Sequence, residues 1–95
     1  MSTTKLIKVM VRDIENTIFE GEVDRISSYN DVGPFDIYWM HANFISIIHK
    51  NLSLYKDKKK IKEMPIGQAV LKAKKDRVDI FLGLEALAID EKGNG

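Results

Sequence analysis

An all-β fold follows from three observations on this 95-residue chain. Short runs of β-branched and aromatic residues alternate with polar ones at a period of two. Turn-forming residues separate those runs at intervals of about 8–12 residues, the spacing of a sandwich or small barrel. No stretch sustains a helical period. The length fits one domain. With 44% hydrophobic residues, 31% charged residues and only two prolines, the composition is that of a folded chain with one modest core, not a disordered one.

The elements read in order. Ile7, Val9 and Val11 alternate with Lys8, Met10 and Arg12 as a half-buried strand. Asp13-Ile14-Glu15-Asn16 supplies turn chemistry, because Asp and Asn bond their own backbone. Thr17 to Glu20 resumes in β-prone residues, and Gly21 reads as a bulge or tight junction. Glu22 to Tyr29 reads as one mixed strand, followed by the loop Asn30-Asp31-Val32-Gly33-Pro34. Phe35 to Met40 is short and aromatic, and Phe44 to Ile48 is a β-branched run. Leu52, Leu54 and Ile61 flank Lys56-Asp57-Lys58-Lys59-Lys60, a polar hairpin tip. Pro65 and Gly67 are expected to break the next strand, which resumes at Val70-Leu71. Lys74-Lys75-Asp76-Arg77 is a second tip, and Val78 to Leu82 the last clear strand. Leu84 to Ile89 reads equally as strand or short helix. The expected division is a domain over residues 1–90 and a frayed tail over 91–95.

Composition removes several classes of function. Without cysteine there is no disulfide scaffold, thiolate metal site or cysteine nucleophile. No apolar run reaches the roughly 18 residues of a transmembrane helix, and the start shows no signal peptide, so a cytoplasmic protein is expected. The net charge of +1 is a sum over unlike segments. Residues 1–49 hold four basic and seven acidic groups (−3), residues 50–77 ten and three (+7), and residues 78–95 one and four (−3). The basic block covers both hairpin tips, so one basic end is expected on the fold.

Catalytic and metal-binding constellations are not apparent. His41 and His49 lie eight apart, unlike a helical zinc pair, and His41 reads as a residue bonding backbone where the chain turns. Glu20, Glu22 and Asp24 share one face of a strand, where charges face solvent routinely. Gly21, Gly33, Gly67 and Gly83 are isolated and build no phosphate loop. No catalytic residue, metal or cofactor is assigned. The lysines at 56, 58, 59, 60 and 62 invite a nucleic-acid reading, but the cluster has no arginine and no interleaved aromatics, so it reads as a solvated hairpin. Phe35, Tyr38, Trp39, Met40 and Phe44 are more informative. Core packing claims Phe35 and Phe44; Trp39 reads equally as core or as surface, and a surface Trp-Met pair is what interfaces use as an anchor.

Ile18-Phe19-Glu20-Gly21-Glu22-Val23-Asp24 resembles the V-F-E-G-E-V stretch of the epsilon subunit of rotary ATP synthases, called delta in mitochondria. The likeness continues in order. Gly33-Pro34-Phe35-Asp36-Ile37-Tyr38 is similar to the family's G-E-F-G-I-L/Y, His41-Ala42 stands at its H-A-P, and Asn43 to Ile48 matches the apolar strand that follows. Val70-Leu71-Lys72 and Val78 to Phe81 resemble F-L-E-V and V-T-V-L. The resemblance covers roughly residues 5–90 and implies a ten-stranded β-sandwich, the amino-terminal domain of that subunit.

The implied role is a noncatalytic, short rotor (central stalk) subunit of a proton- or sodium-translocating ATP synthase. It would bind the gamma subunit and the c-ring, peripheral on the cytoplasmic side of the inner membrane and touching the membrane only indirectly. The family's inhibitory helical hairpin is expected to be absent. Gly33, Pro34, Tyr38, Trp39, Met40 and His41 are the expected partner-facing residues. Departures from the family fall among them: its acidic residue after the loop glycine is Pro34, and two of its prolines are Trp39 and Asn43. The Lys-Pro-Gly turn is Lys50-Asn51-Leu52, the Gly-Gly pair is Gln68-Ala69, and an aspartate is Gly83. These changes motivate the alternative of a stand-alone interaction module, self-associating or binding another partner through the Tyr38-Trp39 loop. No nucleic-acid partner is expected.

Overall fold

The alternation read at the start of the chain becomes a strand with Ile7, Val9 and Val11 buried and Lys8 and Arg12 exposed. A computed structural model of the protein describes residues 5–83, so the reading of Leu84 to Ile89 and of the tail 91–95 lies outside the described residues. Seven strands follow one another: β1 (Ile7–Arg12), β2 (Thr17–Val23), β3 (Arg25–Tyr29), β4 (Pro34–Tyr38), β5 (Phe44–Lys56), β6 (Lys59–Lys74) and β7 (Arg77–Leu82). They hydrogen-bond in the order β2-β1-β7-β6-β5-β3-β4. The β1–β7 pair is parallel and the others are antiparallel, making one mixed sheet. The all-β expectation holds over the described residues; the ladder counts seven strands, not ten.

Several boundaries differ from the sequence reading for identifiable reasons. The stretch Glu22 to Tyr29 is two strands, because the chain bends at Asp24 and passes from β1 to β5 as its pairing partner. Gly21 lies inside β2 opposite Val9, in register; the irregularity of this pair sits between Val11 and Arg12 instead. Phe19 covers Gly21, whose missing Cβ would meet the ring tip at 3.2 Å. Pro65 and Gly67 do not end a strand. β6 runs through both, since they stand where the β5–β6 ladder already slips, between the pairs Lys50–Gly67 and Asn51–Pro65.

That slip organises the fold. Lys50 and Gly67 face each other with φ of 68° and 63°, both left-handed. Buried residues along β6 change parity there, from Met64 and Ile66 to Ala69, Leu71 and Ala73. A bulge inserts one residue, and one residue is what keeps the apolar set facing inward across the bend. A straight strand of this length would hold its ends about 50 Å apart. Instead, the turns at both ends of β6 reach the same short segment: Asp57 and Lys58 share an open groove with Tyr38, and the Met40 N–H donates to the Lys75 carbonyl at 2.8 Å. The sheet is therefore folded over on itself. Ile7, Val9, Val11, Leu71, Val78 and Ile80 from one half join Ile26, Ile37, Leu52 and Leu54 from the other in a single buried cluster.

The turns use ordinary chemistry. Asp57 and Lys58 have φ of 55° and 66°, the two positive angles of a type I′ hairpin turn, placing the tip inside the lysine cluster. The Asp13 carboxylate accepts the N–H groups of Asn16 at 2.7 Å and Glu15 at 2.8 Å. Those two bonds, Asn16 first, hold its pKa below the usual aspartate value.

Candidate partner-binding end

The six predicted interface residues divide between the two ends of β4, which among the described residues is an edge strand paired only with β3. Gly33 and Pro34 open the strand; Tyr38 to His41 close it, about 13 Å further along. The sequence placed them in one loop region, and the strand between them separates them.

At the first end, Asn30 and Gly33 exchange backbone hydrogen bonds of 2.9 and 3.1 Å, and the Asn30 side-chain oxygen accepts the N–H groups of Val32 and Gly33. Gly33 takes φ of 143°, which a residue with a Cβ rarely adopts. Pro34 begins an edge strand, where its missing N–H costs least. The His49 ring donates from Nε2 to Asp31 at 2.9 Å, tying this loop to β5, and Val32 at the tip is 96% exposed.

The second end gathers more. Tyr38, Trp39 and Met40 are exposed side by side. Met40 has φ of 62°, a tight turn that its bond to Lys75 fixes against the β6–β7 turn. His41 donates from Nδ1 to the Tyr38 carbonyl at 2.7 Å and stacks edge-on against Phe44, which stacks edge-on against Phe35. The backbone-bonding role read for His41 is thus what the structure shows. Phe35 and Phe44 are partly buried against the core. The Nε2 of His41 is buried with no hydrogen-bond partner among the described residues.

Charged groups of both signs surround these side chains, with Asp36 at the Tyr38 hydroxyl and Asp24 and Asp57 in the groove beside it. The Lys5 amine sits 5.1 Å from the centre of the Trp39 ring. Arg25 lies over Tyr55 at 3.8 Å, and Tyr38, followed by Asp36, holds its guanidinium above the ordinary arginine value. Lys58 joins Asp24, Arg25 and Asp57 in the groove beside Tyr38, and the Lys75 main chain meets Met40, so basic and acidic groups are mixed around Tyr38–Met40. Part of the lysine cluster is engaged internally: Lys60 pairs with Glu63 at 2.8 Å and lies 5.9 Å from the Tyr55 ring. Arg25 was not singled out from the sequence. Its partners Tyr38 and Tyr55 are 13 and 30 positions away, so only strand pairing brings them together.

An exposed aromatic-methionine group with a charged rim can anchor on a protein surface. The described residues contain no group of three acidic or histidine side chains able to hold a metal. Among them no helix is long and apolar enough to cross a membrane.

No family model matches the sequence, and neither does any curated protein. Solved structures do match. A chain of the Euglena gracilis mitochondrial ATP synthase, solved as OSCP/F1/c-ring in rotational state 1, superposes with a TM-score of 0.75 at 15% identity, over 86% of this chain and 53% of that one. A chain of the Tetrahymena thermophila mitochondrial ATP synthase, solved as central stalk and c-ring, gives 0.67 at 10% identity, over 86% and 66%. At these identities the likeness is one of fold. This chain spans about half of the first structure's chain and about two-thirds of the second's. Both matched chains come from ATP synthases, the assembly to which the family resembled by the sequence also belongs.

Proposed function

We propose that this chain belongs to a noncatalytic, epsilon-type rotor subunit of an ion-translocating ATP synthase, binding the gamma subunit and the c-ring through its folded sheet. The observation that carries the reading is the fold match over 86% of the chain to chains solved inside ATP synthases, both in structures that include the c-ring. In this reading β5 and β6 each count once in either layer of the epsilon-type sandwich. The chain works on the cytoplasmic side, touching the membrane only through the c-ring. It transmits torque and has no chemical step.

Its contact surface is assigned to the end built by Tyr38, Trp39, Met40 and His41, with Gly33 and Pro34 at the far end of β4 forming a separate contact. Trp39 is the anchor, because it is the largest apolar side chain there and is held in place by Lys5 and the Met40–Lys75 bond. Trp39→Ala is expected to weaken binding to the gamma subunit or c-ring of the same source by roughly tenfold or more, the loss of a hot-spot side chain. Titration by interferometry reads this directly. An unchanged affinity would remove Trp39 from the interface, and no binding by the unaltered chain to either partner would remove the rotor reading. The second reading, a stand-alone interaction module, is favoured by the joint exposure of Tyr38, Trp39 and Met40. It predicts that the same substitution acts on a different partner.

A further inference from the structure

Arg25, Tyr38 and Tyr55 form one cross-strand row: Arg25 of β3 stands opposite Tyr38 of β4 on one side and Tyr55 of β5 on the other. Ile26, the next residue, is fully buried, so the row lies on the outer face of the sheet. The guanidinium carbon sits 3.8 Å from the centre of the Tyr55 ring, and that stacking fixes the plane of the group. An open groove runs beside the row, lined by Asp24, Arg25, Tyr38, Tyr55, Asp57 and Lys58.

Most carboxylates near this row already have partners. Glu63 takes the Lys60 amine at 2.8 Å, and Asp36 accepts the Ser27 hydroxyl, with the Tyr38 hydroxyl 3.5 Å from its other oxygen. Asp24 accepts the Asp57 N–H at 2.8 Å, and the Asp57 side chain stands exposed at the tip of the turn. Arg25 differs. It forms no salt bridge among the described residues, and its Nε, shielded from solvent, has no hydrogen-bond partner there. Asp36 acts on it only at longer range. Shielded donors are normally satisfied, and one left unmade costs about 1–3 kcal/mol. A cation held rigid in a groove wall without an acceptor is preorganised for one that comes from outside.

We propose that this groove receives an acidic side chain of the partner protein, whose carboxylate Arg25 binds between Tyr38 and Tyr55. The planar fork of a guanidinium matches a carboxylate, and Lys58 lines the same groove. Asp24 and Asp57 offset these two cations, so the groove suits a group with one negative charge and disfavours a dianion such as phosphate. Tyr38 belongs both to the groove and to the end assigned above to partner contact, so the two surfaces are continuous. The inference rests on that assignment and adds the chemistry that the partner presents there.

Two measurements separate this inference from the rotor reading. In the first, the nitrogen-15-labelled chain alone is titrated with sodium acetate, with sodium chloride as the control and sodium phosphate as the dianion. Acetate is expected to shift the Arg25 Nε–H signal and the Asp57 and Lys58 amides saturably, with a dissociation constant on the order of 10 mM. Chloride and phosphate should do so less, and Arg25→Gln should lose the amide shifts. In the second, affinity for the gamma subunit or c-ring of the same source should fall about tenfold or more in Arg25→Gln. It should fall less in Arg25→Lys, which keeps the charge but not the fork, and both variants should melt with the unaltered chain. Partner binding that Arg25→Gln leaves unchanged would overturn the proposal. So would acetate shifts no larger than those of chloride, or phosphate binding tighter than acetate. Binding of neither partner by the unaltered chain would defeat the rotor reading instead, while the acetate titration still decides whether the groove takes a carboxylate.

Discussion

Replacing Leu71 with alanine will lower the unfolding free energy by about 3–4 kcal/mol, the range for a leucine removed from a rigid core. Leu71 has no exposed surface and sits between Ser46 of β5 and Ile80 of β7 in the ladder. Val70, its neighbour in sequence, points to the other face and is half-buried. Val70→Ala should cost about 1 kcal/mol or less. In a domain of this size each kcal/mol moves the melting temperature by about 4–8 °C, so the two variants should melt at clearly different temperatures. Thermal unfolding followed by circular dichroism distinguishes them. Equal losses would mean that the two faces of β6 have been assigned wrongly.

Gly67→Val is the second large effect. Glycine at φ of 63° costs nothing, whereas a β-branched residue there carries a penalty of about 1–3 kcal/mol. The same corner holds Lys50 at φ of 68°, so Lys50→Gly should relieve strain and raise stability by about 1 kcal/mol. Opposite signs at two facing positions are the signature of a corner built on left-handed backbone. Urea unfolding measures both. A neutral Gly67→Val would show that the bend does not require that conformation. The corner matters beyond stability, because the fold-over brings Lys58 and Lys75 to the same apolar group.

What could be read from the sequence and what could not divide along physical lines. Local signals were sufficient for β1, where alternation is strict, and for the turn at Lys75-Asp76, where polar residues interrupt two apolar runs. They failed where a long-range constraint overrides the local one. Pro65 and Gly67 are strand breakers taken alone, yet β6 passes through both because the β5–β6 ladder slips at that point and asks for an irregular backbone. The break at Asp24 was equally hidden, since Glu22 to Tyr29 is β-prone throughout and only the change of pairing partner divides it. For the candidate site, the individual residues were visible and their grouping was not. Gly33 and Pro34 are neighbours of Tyr38 in sequence but sit at the opposite end of a strand. Arg25, Lys5 and Lys75, remote in sequence, sit against the Tyr38–Met40 segment.

The central claim, a place in an ATP synthase rotor, is tested most directly by affinity purification of the tagged chain from detergent-solubilised membranes of its own source. The account predicts that the gamma subunit and the c-ring co-purify with it in fixed proportion. It also predicts that Trp39→Ala or Met40→Ala reduces their recovery while the melting temperature holds. Recovery of the folded chain with neither gamma subunit nor c-ring would contradict it.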